Sequence, residues 1–452
     1  MSIATLPPLR TFAEWIVQTD DHAERRLALL DEAERILAGR EPASIEARRS
    51  LAARLERWRY QMLNERHAAL GERDRQLANA LDLAANRLAG RAPRPPRWPR
   101  DAVLNTAPDD PALVEIEEAL DPATPLEAVA ARAAELTAQH FTVRRNGAAA
   151  RRMFMYAPLY LSNLCINHCL YCGFRHPNPI ERVHLGVEQA LREAEVLLAR
   201  GFRHILLVAG DYPSMTSTEY YAEVIEALCR RGVIPSVEIA PQSTDGYEAL
   251  AAAGACGVTL YQETYNPSLY AKYHPRGPKV SYDWRLEGIE RAAEAGMKRL
   301  GLGILLGLGP AQEELLALVR HGRYLAARFP QCTLAFSLPR IHEAPQGFVP
   351  PFAVDDETFV RMYCALRIAF PRAELVLSTR EMPDLRDRLA RICITQMSAG
   401  SSTAPGGYHE DTCGSPAGEQ FPIADHRSVP EVLESLEAAG ICPVWTRPAP
   451  DA

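Results

Sequence analysis

The sequence predicts an α/β protein whose main body is a closed (βα)8, TIM-type barrel carried behind an N-terminal helical extension. Three observations lead there. From about residue 150, short β-branched and apolar runs alternate with helical segments of about ten to eighteen residues, the pattern of parallel strands joined by right-handed crossovers. Eight such runs occur, the number that closes a barrel, with a doubly wound open sheet as the competing arrangement. Residues of unusual chemistry stand just after the runs, where such barrels build active sites: three cysteines after the first, Asp211 after the second, Arg380 at the end of the seventh, and Ser398 to Thr403 after the eighth.

The elements follow in chain order. Residues 22–39, 44–63 and 73–90 carry apolar positions at three-to-four spacing and predict three amphipathic helices, the first and last closed by Gly39 and Gly90. These make residues 1–90 a helical extension, and RAPRPPRWPRD opens a Pro-rich linker over 91–104. Residues 105–150 form a helical lead-in, and 151–452 the barrel with a C-terminal segment. The predicted strands are 153–161, 204–210, 235–241, 257–263, 299–307, 333–339, 374–380 and 393–400. Gly201, Gly232, Gly254 and Gly296 fall where intervening helices should stop.

Composition narrows the function classes. A net charge of −7 over 452 residues, with basic and acidic side chains intermixed, argues against nucleic acid or anionic lipid as the main partner. The start has no charged segment followed by an apolar core, and no run of about 18 apolar residues could span a membrane, so a cytoplasmic chain is expected. Cys229, Cys256, Cys332, Cys364, Cys393, Cys413 and Cys442 are scattered singly and read as small buried hydrophobes.

The remaining three cysteines are different. In CINHCLYC, residues 165–172, Cys165, Cys169 and Cys172 sit at spacings of three and two intervening residues. A closed zinc site wants four ligands in two pairs, and no second pair exists; a redox CxxC would leave Cys165 unexplained. A cubane cluster has four irons that each want a thiolate, so three cysteines on one short loop leave one iron open. GLGILLGLG, residues 301–309, does not open a helix as a phosphate loop would, and its glycines suit close backbone approach.

CxxxCxxC with an aromatic before the third cysteine resembles the cluster motif of the radical S-adenosylmethionine (radical SAM) enzymes, whose open iron is chelated by the amino and carboxylate groups of S-adenosylmethionine. YAPLYLSNLCINHCLYCGF (156–174), ILLVAGD (205–211), YQETYNPSLYAKYHPRGPK (261–279), LSTRE (377–381) and QMSAGSSTAPGGY (396–408) are similar to the aromatic amino acid lyase branch of that family. That branch holds a tyrosine lyase of thiazole formation, a tyrosine-cleaving hydrogenase-cofactor maturase and a tryptophan lyase. The resemblance spans roughly residues 105–447. Cys442 stands alone in the tail, so the maturase's second, C-terminal cluster is not expected.

The resemblance implies a radical SAM barrel and the following roles. Cys165, Cys169 and Cys172 ligate a [4Fe-4S] cluster; Tyr171 lies near the adenine; Gly210 and Asp211 stand where the family has a Gly-Glu pair on the methionine amino group. Asp211 is one methylene shorter, and a turn or helix cap is its competing role. Glu238 is a further S-adenosylmethionine contact. Arg380 clamps the substrate carboxylate, Ser398 assists it, and Tyr160 helps hold the amino group. The implied reaction cleaves the Cα–Cβ bond of L-tyrosine to 2-iminoacetate and 4-cresol through a 5′-deoxyadenosyl radical. The implied partners are an external electron donor such as flavodoxin or ferredoxin and a thiazole synthase. Cleavage of tryptophan or another amino acid is the competing activity, and a non-catalytic iron–sulfur sensor the competing class.

Overall fold

The structure is a computed structural model that describes residues 6–65, 70–92, 94–95, 97–105, 111–145, 148–344, 347–409 and 418–446. The chain divides into two compact units, one of residues 1–99 with 280–287, the other of 100–279 with 288–452.

The first unit is helical. Helices Ala23–Leu37, Ile45–Glu65 and Glu72–Leu88 match the three apolar periodicities. They bury Leu30, Ala33, Leu55, Trp58, Leu81 and Ala84 in one core, which also takes in Trp284 from the returning segment. Charge is buried there too. Arg59 pairs with Glu287 at 2.7 Å, and Asp82 accepts from Arg94 and Arg97 at 2.6 Å each. Burial alone would raise the Asp82 carboxyl, but these two guanidinium groups outweigh it and hold the group well below the usual carboxylate range.

The second unit is the barrel. Its strands are β1 (Thr142–Arg145), β2 (Ala148–Ser162), β3 (His204–Ala209), β4 (Ile234–Glu238), β5 (Gly257–Thr259), β6 (Arg299–Gly303), β7 (Thr333–Ser337), β8 (Glu374–Leu377), β9 (Gln396–Ser398) and β10 (Ile441–Val444). Neighbours from β2 to β9 pair in parallel, and β2 also pairs with β9 through Phe154↔Gln396 to Tyr156↔Ser398. That closure excludes the open sheet. β1 and β10 flank β2 outside the ring, antiparallel and parallel respectively.

All eight predicted barrel strands exist, but most stop short of the sequence runs. The run 299–307 yields a strand only to Gly303, after which Leu305 N–H donates to Glu263 O and Leu306 N–H to Pro339 O. Beyond Gly303 the ladder breaks into isolated parallel bridges, Glu263↔Ile304 and Leu306↔Arg340, while Leu305 turns into a cavity at the strand ends. At the opposite end, the first residues of three strands close the bore. Arg299 Nε donates to Glu374 (2.8 Å), and its Nη2 to Gln396 (2.7 Å). Gly254, at φ 114, ends helix Thr244–Ala253 as expected, and a Cβ there would also meet Cys229 Sγ at 2.6 Å.

Candidate active site

Beyond Ser162, the end of β2, the chain runs into the three-cysteine loop, and its shape is imposed by what surrounds it. Ile166 N–H donates to Asp211 O (2.9 Å), His168 N–H to Arg276 O (3.1 Å), Leu170 N–H to Tyr273 O (3.1 Å) and Gly173 N–H to Gln420 O (3.0 Å). Gly210 and Gly277 are among the positions that tolerate no side chain. A Cβ on Gly210 would stand 2.2 Å from Leu164 O, and one on Gly277, at φ +96, would stand 2.5 Å from Asn167 Oδ1. Asn167 is the hub: its Nδ2 donates to Asp211 Oδ2 (2.9 Å), and its Oδ1 accepts from Lys279 N–H (2.8 Å). Asp211 therefore packs behind the loop with one carboxylate oxygen on Asn167.

Arg182 staples the far side of the loop. Its guanidinium donates to the carbonyls of Asn163 (2.6 Å), Phe174 (2.8 Å), Arg175 (2.9 Å) and Asn178 (3.1 Å). Replacing it with Gln leaves most of those carbonyls without a donor and frees the loop. We expect Arg182→Gln protein, loaded anaerobically with iron and sulfide, to retain less than about half the wild-type iron after gel filtration, a loss set by the missing charge-assisted bonds. Wild-type retention would show that the loop needs no staple.

Cys169 is buried, while Cys165 and Cys172 are half-buried. Burial pushes the Cys169 thiol up to about 12 and the Cys172 thiol to about 11, and raises Cys165 as well, so metal must displace protons to bind. Among the described residues no three Cys, His, Asp or Glu side chains converge as they would around one ion. Three thiols on one loop suit a cluster whose irons take one thiolate each.

A cavity with about 990 Å³ of empty space, its open mouth included, extends from this loop across the strand ends. Tyr160, Tyr171, Cys172, Glu238, Arg380 and Ser398 all line it, whereas Cys165, Cys169, Gly210 and Asp211 sit within or behind the loop. Tyr171 is held rigidly. His274 Nδ1 lies 2.8 Å from Tyr270 O, which only accepts, so Nδ1 carries the hydrogen and Nε2 accepts from Tyr171 O–H at 2.7 Å. Lys279 Nζ then donates to Tyr171 (3.1 Å) and to Glu263 (2.7 Å). Glu263 holds φ +72, uncommon without glycine, in a turn fixed by Glu314, which accepts from Thr264 O–H and from Tyr265 N–H.

Burial, reinforced by Glu238, raises the Tyr160 phenol well above its ordinary value, so it stays a neutral hydroxyl, donating to Gln420 Oε1 at 2.8 Å. Ser398 is buried opposite Tyr156 in the wall of the same cavity, its carbonyl accepting from Arg386. Arg380 is the informative cation. Its Nη1 donates to Arg340 O (3.2 Å), and its neighbour Glu381 is taken by Arg340 and His342. Among the described residues no carboxylate lies within ion-pair distance of Arg380, and its buried Nε has no partner. A guanidinium whose only side-chain bond among the described residues is from Nη1 keeps donors for a carboxylate.

With that geometry in view, the profile of the Radical SAM superfamily matches residues 159–321, and that of the biotin and thiamin synthesis associated domain matches 337–442. The 2-iminoacetate synthase of Salmonella typhimurium is 36% identical over 321 residues, 71% of this chain and 82% of that protein. The chain belongs to the radical SAM superfamily. It is a radical SAM carbon–carbon lyase by this relationship to 2-iminoacetate synthase. The structure of the [FeFe]-hydrogenase maturase HydG from Carboxydothermus hydrogenoformans superposes with a TM-score of 0.65 at 30% identity, covering 90% of this chain and 86% of that one. A second HydG crystal structure gives 0.66 at 28%, over 92% and 80%.

As a radical SAM enzyme it takes a small-molecule substrate, and among the described residues no helix is long and apolar enough to cross a membrane. Cys442 lies buried in β10, and Cys413 falls outside the described residues. Sequence reasoning missed Asn167, Arg182, Glu263, Lys279, Gln420 and Phe421. The stretch 261–279 was singled out as a whole, so Glu263 and Lys279 were within reach; Gln420 and Phe421 carry no pattern that marks them.

Proposed function

We propose that the enzyme cleaves the Cα–Cβ bond of L-tyrosine, giving 2-iminoacetate and 4-cresol for thiazole formation, with flavodoxin or ferredoxin as electron source. The observation that carries this reading is Arg380, which lines the same cavity as Tyr171 and Cys172 of the three-cysteine loop and whose buried Nε has no protein partner. Cys165, Cys169 and Cys172 would hold the [4Fe-4S] cluster, Tyr171 and Glu238, which line the cavity, would border S-adenosylmethionine, and Gly210 and Asp211 would shape the loop behind it. When bound, these groups supply a 5′-deoxyadenosyl radical, an acceptor of one hydrogen atom.

The chain's own residues do the positioning. Arg380 binds the substrate carboxylate through two parallel N–H donors, which fixes the plane of the Cα substituents. Ser398 and the neutral Tyr160 hydroxyl line the same cavity and would orient the amino nitrogen. Tyr160 donates to Gln420, so its oxygen lone pairs remain to accept an N–H of an amine. The two products together have the composition of tyrosine. The hydrogen atom taken from the amino group must therefore be replaced on the departing side chain by an electron and a proton.

Anaerobic incubation of the cluster-loaded enzyme with reductant, S-adenosylmethionine and tyrosine should release 4-cresol in step with 5′-deoxyadenosine. Release of 5′-deoxyadenosine without 4-cresol removes tyrosine as substrate.

A further inference from the structure

Residues 418–425 form a strap along one side of the cavity. Asn163 Nδ2 donates to Gly418 O (3.3 Å), and Gln420 N–H to Thr403 O (3.1 Å). Thr403 Oγ1 donates to Phe421 O (2.9 Å), while Ala424 and Asp425 N–H both donate to Thr379 O, at 2.9 and 3.0 Å. The fit against the cysteine loop is tight: a Cβ on Gly173 would come within 2.5 Å of the carbonyls of Glu419 and Gln420. Beyond Phe421, Asp425 is locked by Arg386 and by Arg427 (2.7 Å). The strap is thus tied to β2, to the loop after β9 and to Thr379, the residue before Arg380.

These ties deliver the Phe421 ring onto Arg380, with the guanidinium carbon 3.4 Å from the ring centroid. We propose that Phe421 is a positioning residue for the substrate: by covering one face of the Arg380 guanidinium it leaves the in-plane Nε–Nη2 edge as the route for an α-amino acid carboxylate. Three directions are then accounted for. One face meets the ring, Nη1 is held by Arg340 O, and the buried Nε has no protein partner. The ring also keeps water from that face, which strengthens a charge-assisted bond at the edge. Deleting the ring lets the guanidinium tilt and hydrate, and the two donors no longer point at one ligand plane.

This rests on the substrate being an α-amino acid, tyrosine on the present reading. The test uses the full-length, cluster-loaded enzyme as wild type, Phe421→Leu and Phe421→Tyr, with iron content measured in each. Phe421→Leu should raise KM for tyrosine about tenfold, with a smaller fall in kcat, and Phe421→Tyr, which keeps a ring face, should return KM to within about twofold. Two competitive inhibitors separate positioning from general damage. Phe421→Leu should weaken inhibition by 3-(4-hydroxyphenyl)propionate, which keeps the carboxylate, and leave inhibition by tyramine, which lacks it, unchanged.

Equal weakening of both inhibitors, a wild-type KM in Phe421→Leu, or loss of iron in that variant overturns the inference. Wild-type enzyme that responds to another amino acid and not to tyrosine overturns the substrate reading alone. The same variants are then compared on that amino acid, with a KM unchanged by Phe421→Leu again overturning the role of the ring.

Discussion

Arg380→Lys enzyme should form 4-cresol from tyrosine with kcat/KM lowered by about a hundredfold or more, because an ammonium cannot reproduce a planar two-donor fork. The environment sharpens that expectation. Burial lowers the Arg380 pKa somewhat from its usual value, so a cation is already held there against a desolvation cost. A lysine in its place would lose the Phe421 ring stack and the bond to Arg340 O along with the fork. Its shorter reach would draw the carboxylate out of plane and the amino nitrogen away from Tyr160. Steady-state formation of 4-cresol against tyrosine concentration measures the effect. A value within about threefold of wild type would show that no two-donor fork grips the carboxylate at Arg380, since a point charge would then suffice.

The second large effect is on the loop itself. Cys169→Ser should hold less than about one iron per chain after anaerobic reconstitution, where the wild type holds about four, and should release no detectable 5′-deoxyadenosine. Serine keeps the volume and offers a hydroxyl that does not ionise near neutral pH, so one corner of the cluster is left without a thiolate. Cys169 is the most deeply buried of the three, and water cannot readily replace it. The loop should keep its fold, because its bonds to Asp211, Arg276, Tyr273 and Gln420 use main-chain groups. Full iron content in Cys169→Ser would mean that the thiols are not the ligands.

Much of this was legible in the sequence because two signals are local. Apolar runs alternating with helices named the eight barrel strands, and helix-ending glycines such as Gly254 marked their boundaries. Three thiols in eight residues pointed to a metal cluster, and the positions at the ends of strands 1, 7 and 8 gave Tyr171, Arg380 and Ser398 a place in one cavity. What the sequence hid is long-range. The strand runs overshoot, as at 304–307, since residues in isolated bridges and in the cavity wall, such as Ile304 and Leu305, are as apolar as strand residues. β10 contains Pro443, which reads against a strand, and it forms only because the side of β2 outside the ring offers it a partner.

Arg182 lies 17 residues from Cys165 in the chain and looks like any surface arginine until four carbonyls are seen converging on it. Phe421 is 41 residues from Arg380, and no periodicity links a strap residue to a strand end. Asp211 shows the opposite case. Its position named it, but its bond to Asn167 gives it work in shaping the loop that position alone does not disclose.

The most direct test of the whole arrangement is Mössbauer spectroscopy of the enzyme reconstituted with isotopically enriched iron, recorded with and without S-adenosylmethionine. Three cysteine donors leave one corner of a four-iron cluster free, so one iron in about four should change its isomer shift on adding S-adenosylmethionine while the others stay unchanged. Four irons that all remain unchanged, or a reconstituted protein that carries zinc in place of iron, would contradict it.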